Sequence, residues 1–245
     1  MGNSAASVMN STVPVQGADP GSSPRAALQC LPLYAAKDLV VRPIPSVVAR
    51  QICERHHYLR SYPAGALLNF GVFVGHQILG VAVLGVGPTN AHRFFAGASR
   101  EEVLCLARFW LDDRLGRNSE SRTLGIILRE LRRHQHTIKA LVAYSDPAAG
   151  HTGVTYRAAG LLYLGQSEAT PLLRLPDGSV RHGRSLGQSY GSHSLRYLGD
   201  CGLPLELVPQ SRKFIYVALV DPRWRGRLTR PVLPYPKPGD VDAGS

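Results

Sequence analysis

Asp146 stands just past an apolar run at 139–144, in Ser145-Asp146-Pro147. An α/β fold presents ligand-binding groups at that edge, beyond the C-terminal end of a strand. A carboxylate there can act as a base, although Asp before Pro is equally a common turn or cap residue. Tyr156 follows one turn into a short helix expected from Thr152 and closed by Gly160, so its hydroxyl can approach the same mouth or its ring can fill the core. Arg108 interrupts the apolar run 103–111. A guanidinium in such a strand needs an anionic partner; Asp146 and a bound anion both qualify. His56-His57-Tyr58 closes a helix. Adjacent residues cannot share a helical face, and such a pair reads more readily as a surface feature than as ligands. Imidazole and phenolate could nevertheless ligate a metal if Asp146 supplied a carboxylate. In the turn Arg117-Asn118-Ser119-Glu120-Ser121-Arg122, the unpaired N–H groups of a helix start can bind an anion. Asn118 competes for the capping position there, which leaves Ser121 freer to bond a cofactor phosphate.

The elements that must position these groups follow from periodicity. Ser46 can cap a helix running to about Arg55, with Val47, Val48 and Ile52 on one face. Runs at 68–74 and 78–86, split by Gly75-His76-Gln77, predict a hairpin. The run 103–111 is a long strand, and the helix from Ser119 places Leu124, Ile127, Leu128 and Leu131 on one face and Arg129, Arg132 and Arg133 on the other. Residues 139–144 form a strand, the Tyr156 helix comes next, and 161–164 form another strand. Leu172 to Leu175, Pro176-Asp177-Gly178-Ser179 and Val180 to His182 predict a second hairpin, and 214–220 a last strand. The expected fold class is α/β (α+β): a single domain at 31–230 with a central mixed sheet flanked by helices, plus a basic C-terminal hairpin and strand. Residues 1–30 are expected to be a disordered lead-in and 231–245 a Pro- and Gly-rich tail.

The 245 residues are 44% hydrophobic, enough for a sizeable core, and no run approaches the roughly 20 residues of a membrane span. The N-terminus has neither a secretory pattern nor, with Ala6, a good myristoylation site. Cys30, Cys53, Cys105 and Cys201 are scattered without a C-x-x-C pair, which points to a reducing cytoplasm, with Cys53 and Cys105 as core residues. The net charge is +11, and residues 1–30 add only Asp19 and Arg25 to it. Residues 174–230 hold ten Arg or Lys against four Asp or Glu. Such a field attracts polyanions, nucleic acid above all.

The order helix, hairpin, long strand, helix, strand, helix, strand resembles that of a GNAT acetyltransferase core, although the Gly-rich pyrophosphate turn of that fold is replaced by Ser119 and Ser121. Several segments together resemble the Mom family of phage DNA adenine-modification proteins. They are His57-Tyr58 with Ser61 and Pro63, Phe70-Gly71-Val72-Phe73, Leu106-x-Arg108-x-Trp110, and Arg117 to Arg122. The longest is Tyr144-Ser145-Asp146-Pro147-x-x-Gly150-His151-x-Gly153-x-x-Tyr156-x-Ala158, followed by Lys213-Phe214-x-Tyr216 and Pro234-Tyr235-Pro236-Lys237.

The resemblance implies a transferase that converts adenine to an N6-methylcarbamoyl derivative in double-stranded phage DNA, in the host cytoplasm, and blocks host restriction nucleases. It implies a site built from His57, Tyr58, Arg108, Ser121, Asp146 and Tyr156. It also brings iron as a candidate metal, with His57 and Tyr58 as ligands. An acyl-CoA-like donor would place its anionic end on Asn118, Ser119, Ser121 and Arg122. Arg174, Arg181, Arg184, Arg223, Arg225 and Arg227 would track the DNA backbone. The alternatives are an acetyl-CoA-dependent N-acetyltransferase for a small amine or protein, and a DNA-binding protein without catalysis.

Overall fold

The computed structural model describes residues 34–87, 90–147, 150–169, 172–182, 195–200, 202, 206–208 and 212–237. The expected lead-in at 1–30 lies outside them. The elements are β1 (Val40–Pro43), α1 (Ser46–His56), β2 (Ala66–Val74), β3 (Gln77–Gly85), β4 (Val103–Leu111), α2 (Ser119–His134), β5 (Ala140–Ser145), α3 (Val154–Ala158), β6 (Leu162–Gln166), β7 (Leu172–Arg174), β8 (Val180–His182), α4 (Leu195–Asp200), β9 (Glu206–Val208) and β10 (Phe214–Leu219). Seven strands form one mixed sheet in the order β1-β2-β3-β4-β5-β10-β6, and β7, β8 and β9 form a smaller sheet with β7 in the middle. The expected α/β class with its central mixed sheet is what the chain adopts.

Alternation along the strands sends side chains to two faces. On one face Ala82 and Leu84 of β3, Leu141 and Ala143 of β5, and Phe214, Tyr216 and Ala218 of β10 pack under Leu124, Ile127 and Leu131 of α2. On the other face Val81 and Val83 meet Ala49 and Cys53 of α1, while Val142, Ile215 and Val217 meet Phe95 and Trp224. Cys53 and Cys105 are free and buried, as their apolar surroundings predict. Ser46 does not cap α1: Pro45 takes the cap position and Ser46 is the first helical residue. Residues 231–237, expected in the tail, pack on the domain, where Leu233 bridges Tyr163 and the Tyr235 hydroxyl donates to the Leu161 carbonyl at 2.8 Å.

The decisive feature is how β4 leaves β5. Their parallel pairing covers only Val103 to Cys105, against Ala140 to Val142, whereas β4 stays paired with β3 as far as Leu111. The register slips between Leu84↔Leu106 and Val83↔Arg108, so Ala107 is a bulge. A bulge adds a residue and local twist, and reverses which face each later side chain occupies. Leu104 and Leu106 pack on the α2 face, and beyond the bulge Phe109 and Leu111 do so, while Trp110 packs against the α1 cluster. Beyond Cys105 the two strands part and leave a cleft.

Candidate active site

The cleft has a volume of about 660 Å³ and is walled by β4, the end of β5, the turn after α1, and the start of α3. Arg108, Asp146, Tyr156, His57 and Tyr58 all line it. Four separate stretches of chain thus bring these side chains to one place.

Each wall has a local cause. Gly153, at φ +80°, precedes α3 with its Cα against the Tyr216 ring, where any Cβ would overlap that ring. The buried Tyr216 hydroxyl donates to the Thr152 carbonyl at 2.8 Å. Ser145 Oγ donates to the His151 carbonyl, and the His151 N–H to the Asp146 carbonyl at 3.0 Å. These bonds fold the chain after β5 back over the sheet and turn Tyr156 toward the cleft. Tyr156 packs on Tyr216 with ring centroids 5.3 Å apart.

Arg108 does not pair with Asp146. Its Nε and Nη2 donate to the carbonyl and Oγ of Ser61 at 2.9 and 3.0 Å, and its Nη1 donates to the Ala107 carbonyl at 2.7 Å. A guanidinium has five N–H donors, so two remain for a ligand. Asp146 pairs instead with Lys213, whose ammonium sits on Oδ2. Lys213 precedes β10, and Phe214 pairs with Ser145, so the register of two distant strands makes that ion pair.

His57 is buried, and its Nδ1 accepts the Leu59 N–H at 3.1 Å. A neutral ring with that acceptor carries its proton on Nε2. Burial, with the charges of Arg108 and His151 nearby, pushes its pKa down from 6.5 to about 4. The folded value lies below the unfolded one, so the unfolded chain takes up the proton first as pH falls. The stability from neutral His57 is therefore complete above about pH 6.5 and is lost between there and about pH 4, by roughly 3 kcal/mol at the limit. His57→Asn keeps an acceptor without a titration. Its urea midpoint should fall less than that of the unsubstituted protein between pH 7 and 4; an identical fall in both would place the acid sensitivity elsewhere.

Burial and the nearby Asp146 carboxylate raise the Tyr58 phenol. Burial, then Tyr58, pushes Tyr156 up to about 12. Both phenols are protonated near neutral pH and can only donate from O–H or accept on oxygen.

A metal site is not supported. Among the described residues no three His, Cys, Asp or Glu side chains gather around a possible ion, and His57 has spent Nδ1 on a backbone amide. An acyl-CoA-like donor fits in part. Helix geometry leaves the N–H groups of Glu120 and Ser121 without a preceding carbonyl, and Arg117 is exposed beside them. The side chains contribute less than expected. Asn118 is left-handed at φ 68° and makes no side-chain cap. Ser119 is buried with its hydroxyl on the Gly116 carbonyl, Ser121 Oγ donates to the Asn118 carbonyl, and Arg122 reaches the Lys37 carbonyl at 3.4 Å. Glu120, not Ser121, enters the cleft lining.

Of the expected DNA-contacting arginines, four have described side chains, each with its own surroundings. Arg184 and the Arg181 side chain lie outside the described residues. Arg174 pairs with Glu206 at 3.0 Å. Arg223 grips Asp221 through Nε and Nη2, after the end of β10 farthest from the cleft. Arg227 donates to the Ala96 carbonyl and lies over Trp224, and Arg225 is exposed. Arg230 instead reaches the Gln166 carbonyl, at the sheet end that holds Phe214 and Ser145.

Local pattern missed Lys213, Glu120, His151 and the stacked pair His56–Trp110, whose rings lie 4.5 Å apart at 17°. Lys213, His151 and Trp110 fall within the segments matching the family. Their placement depends on strand register and the Ala107 bulge, which local periodicity does not encode.

A relative, the methylcarbamoylase mom of Escherichia phage Mu, is 28% identical over 215 residues, spanning 83% of this chain and 86% of that one. Among solved structures, the ribosomal-protein-S5-alanine acetyltransferase of Vibrio fischeri matches with 13% identity and a TM-score of 0.43, over 77% of this chain and 96% of that one. The spermidine N-acetyltransferase of Vibrio cholerae, solved with CoA and spermine, matches with 7% identity and a TM-score of 0.41, over 75% of this chain and 96% of that one. The Mom protein family matches residues 38–237, and this chain, a transferase, belongs to that family.

Proposed function

We propose that the chain transfers a small acyl-type group, methylcarbamoyl, to N6 of adenine in double-stranded phage DNA and so shields it from host restriction nucleases. The observation that carries this reading is the meeting of Arg108, Asp146, Tyr156, His57 and Tyr58 in the cleft opened by β4 and β5. The methylcarbamoylase relative supports the transferred group.

The N6 amine of adenine is a weak nucleophile because its lone pair is delocalised into the ring. It must lose a proton as it attacks, and the Asp146 carboxylate is the group to take it. Lys213 holds that carboxylate in place. A bound acyl-CoA-like donor would supply the electrophilic carbonyl, with its anionic end at the Asn118–Arg122 turn; its C–S bond would break as the bond to N6 forms, and the carrier would leave as the thiol. The spare N–H groups of Arg108 and the Nε2–H of His57 stabilise negative charge on the carbonyl oxygen. Tyr156, a protonated phenol, orients the amine by hydrogen bonding.

Mass spectrometry of nucleosides from cells expressing the chain tests this. The expected result is methylcarbamoyl-deoxyadenosine at the expense of deoxyadenosine. Unmodified adenine together with acetylation of a small amine or a protein would replace this reading with that of an N-acetyltransferase.

Arg230, at the cleft end of the sheet, is better placed for phosphate than Arg223, which is tied to Asp221. Arg230→Ala should weaken duplex binding by about 1 kcal/mol and reduce the salt slope by about one. Arg223→Ala should change neither. Fluorescence anisotropy across a salt series reads both, and equal losses would remove the distinction.

A further inference from the structure

The turn after α1 places an apolar side chain on the outer rim of the cleft. Tyr58 and Arg60 line the cleft, while Leu59 between them does not and is 48% exposed. The turn is held from beneath: His57 accepts the Leu59 N–H on Nδ1 and the Arg60 N–H on its carbonyl at 2.8 Å. Arg60 sits at φ +46°, a conformation uncommon for a residue with a side chain. A buried imidazole thus fixes a turn whose apolar tip faces water beside a cation.

Leu59 is set apart from the other exposed apolar groups at this mouth. Tyr58 tilts inward, with its ring 4.5 Å from His57 and 5.9 Å from His151. Val154, on the opposite wall, lines the cleft itself. An apolar tip with positive charge beside it matches the interior of a base stack edged by phosphates. Taking a base out of a duplex leaves a gap and costs a few kcal/mol, and an inserted aliphatic side chain can fill that gap.

We propose that Leu59 is the wedge that enters the DNA stack when an adenine swings into the cleft that Tyr58 and Arg60 line. This rests on the DNA-modifying reading of the site. It makes Leu59 a positioning residue, needed for opening the duplex and not for the transfer.

The test compares the unsubstituted protein, Leu59→Ala and Leu59→Met on two duplex oligonucleotides bearing the adenine context found modified in cells. In one the adenine faces thymine; in the other it faces an abasic site, which removes the pairing that must be broken. Cell extract supplies the donor, and nucleoside mass spectrometry reads the product. The unsubstituted protein should be faster on the abasic duplex. Leu59→Ala should lose at least about tenfold on the matched duplex and less than about threefold on the abasic one, and Leu59→Met should recover most of the matched-duplex rate. An equal loss on both duplexes, no loss on either, or an unsubstituted protein no faster on the abasic duplex overturns the wedge. Absence of modified adenine with every protein and in the expressing cells overturns the DNA reading itself, and the wedge with it.

Discussion

Asp146→Asn should abolish adenine modification while leaving the fold and DNA binding in place. The amide keeps the shape of the carboxylate but cannot take a proton from N6, so the general-base contribution, about 100- to 10,000-fold, is lost. The structural cost is small by comparison. Lys213 and Asp146 side chains are 22% and 23% exposed, so water reaches both groups. Breaking such a pair costs less than breaking one in a dry core. Nucleoside mass spectrometry, alongside urea unfolding and duplex binding of the same variant, separates the two effects. Unsubstituted levels of modified adenine would remove Asp146 from the mechanism. Loss of the fold would make it a structural residue.

Gly153→Ala should give the largest stability loss of any single-methyl change at the cleft, about 2–4 kcal/mol. Two costs add. A residue with a Cβ is strained at φ +80°, and the new methyl falls on the Tyr216 ring, which is 1% exposed and cannot swing aside. That ring also carries the hydroxyl that holds the Thr152 carbonyl, so the strain passes into the wall that presents Tyr156. Activity should fall with stability, and Tyr216→Leu in the same background should recover part of the stability by removing the ring. Gly150→Ala serves as the control: its φ is similar at +74°, but nothing lies within 4 Å of the added methyl, so only the conformational cost remains. Equal melting temperatures for the two variants would show that the contact with Tyr216 carries no weight.

Nearly every element of the central sheet was legible in the chain. The run 103–111 became β4 residue for residue, and the leucines and isoleucine spaced along α2 are all buried. Periodicity reports which face of an element seeks burial, and burial decides where elements form. The family segments likewise marked the side chains that meet in the cleft. Partners were not legible. Arg108 lies in a run that demanded an anion, yet Ser61 holds it. Asp146 carried no sign of Lys213, 67 positions later by their numbering, since their meeting depends on β10 inserting between β5 and β6. The serines of the α2 turn had the chemistry to hold a phosphate, but their hydroxyls bond the chain's own carbonyls.

Residue type and spacing decided which side chains are buried and which segments become strands, because those preferences are local and repeat with the period of each element. The cleft itself, the neighbours of each charge and the protonation of His57 came from strand order, a single bulged residue and depth below the surface. Those are relations between segments far apart in the chain, set only when the whole sheet closes.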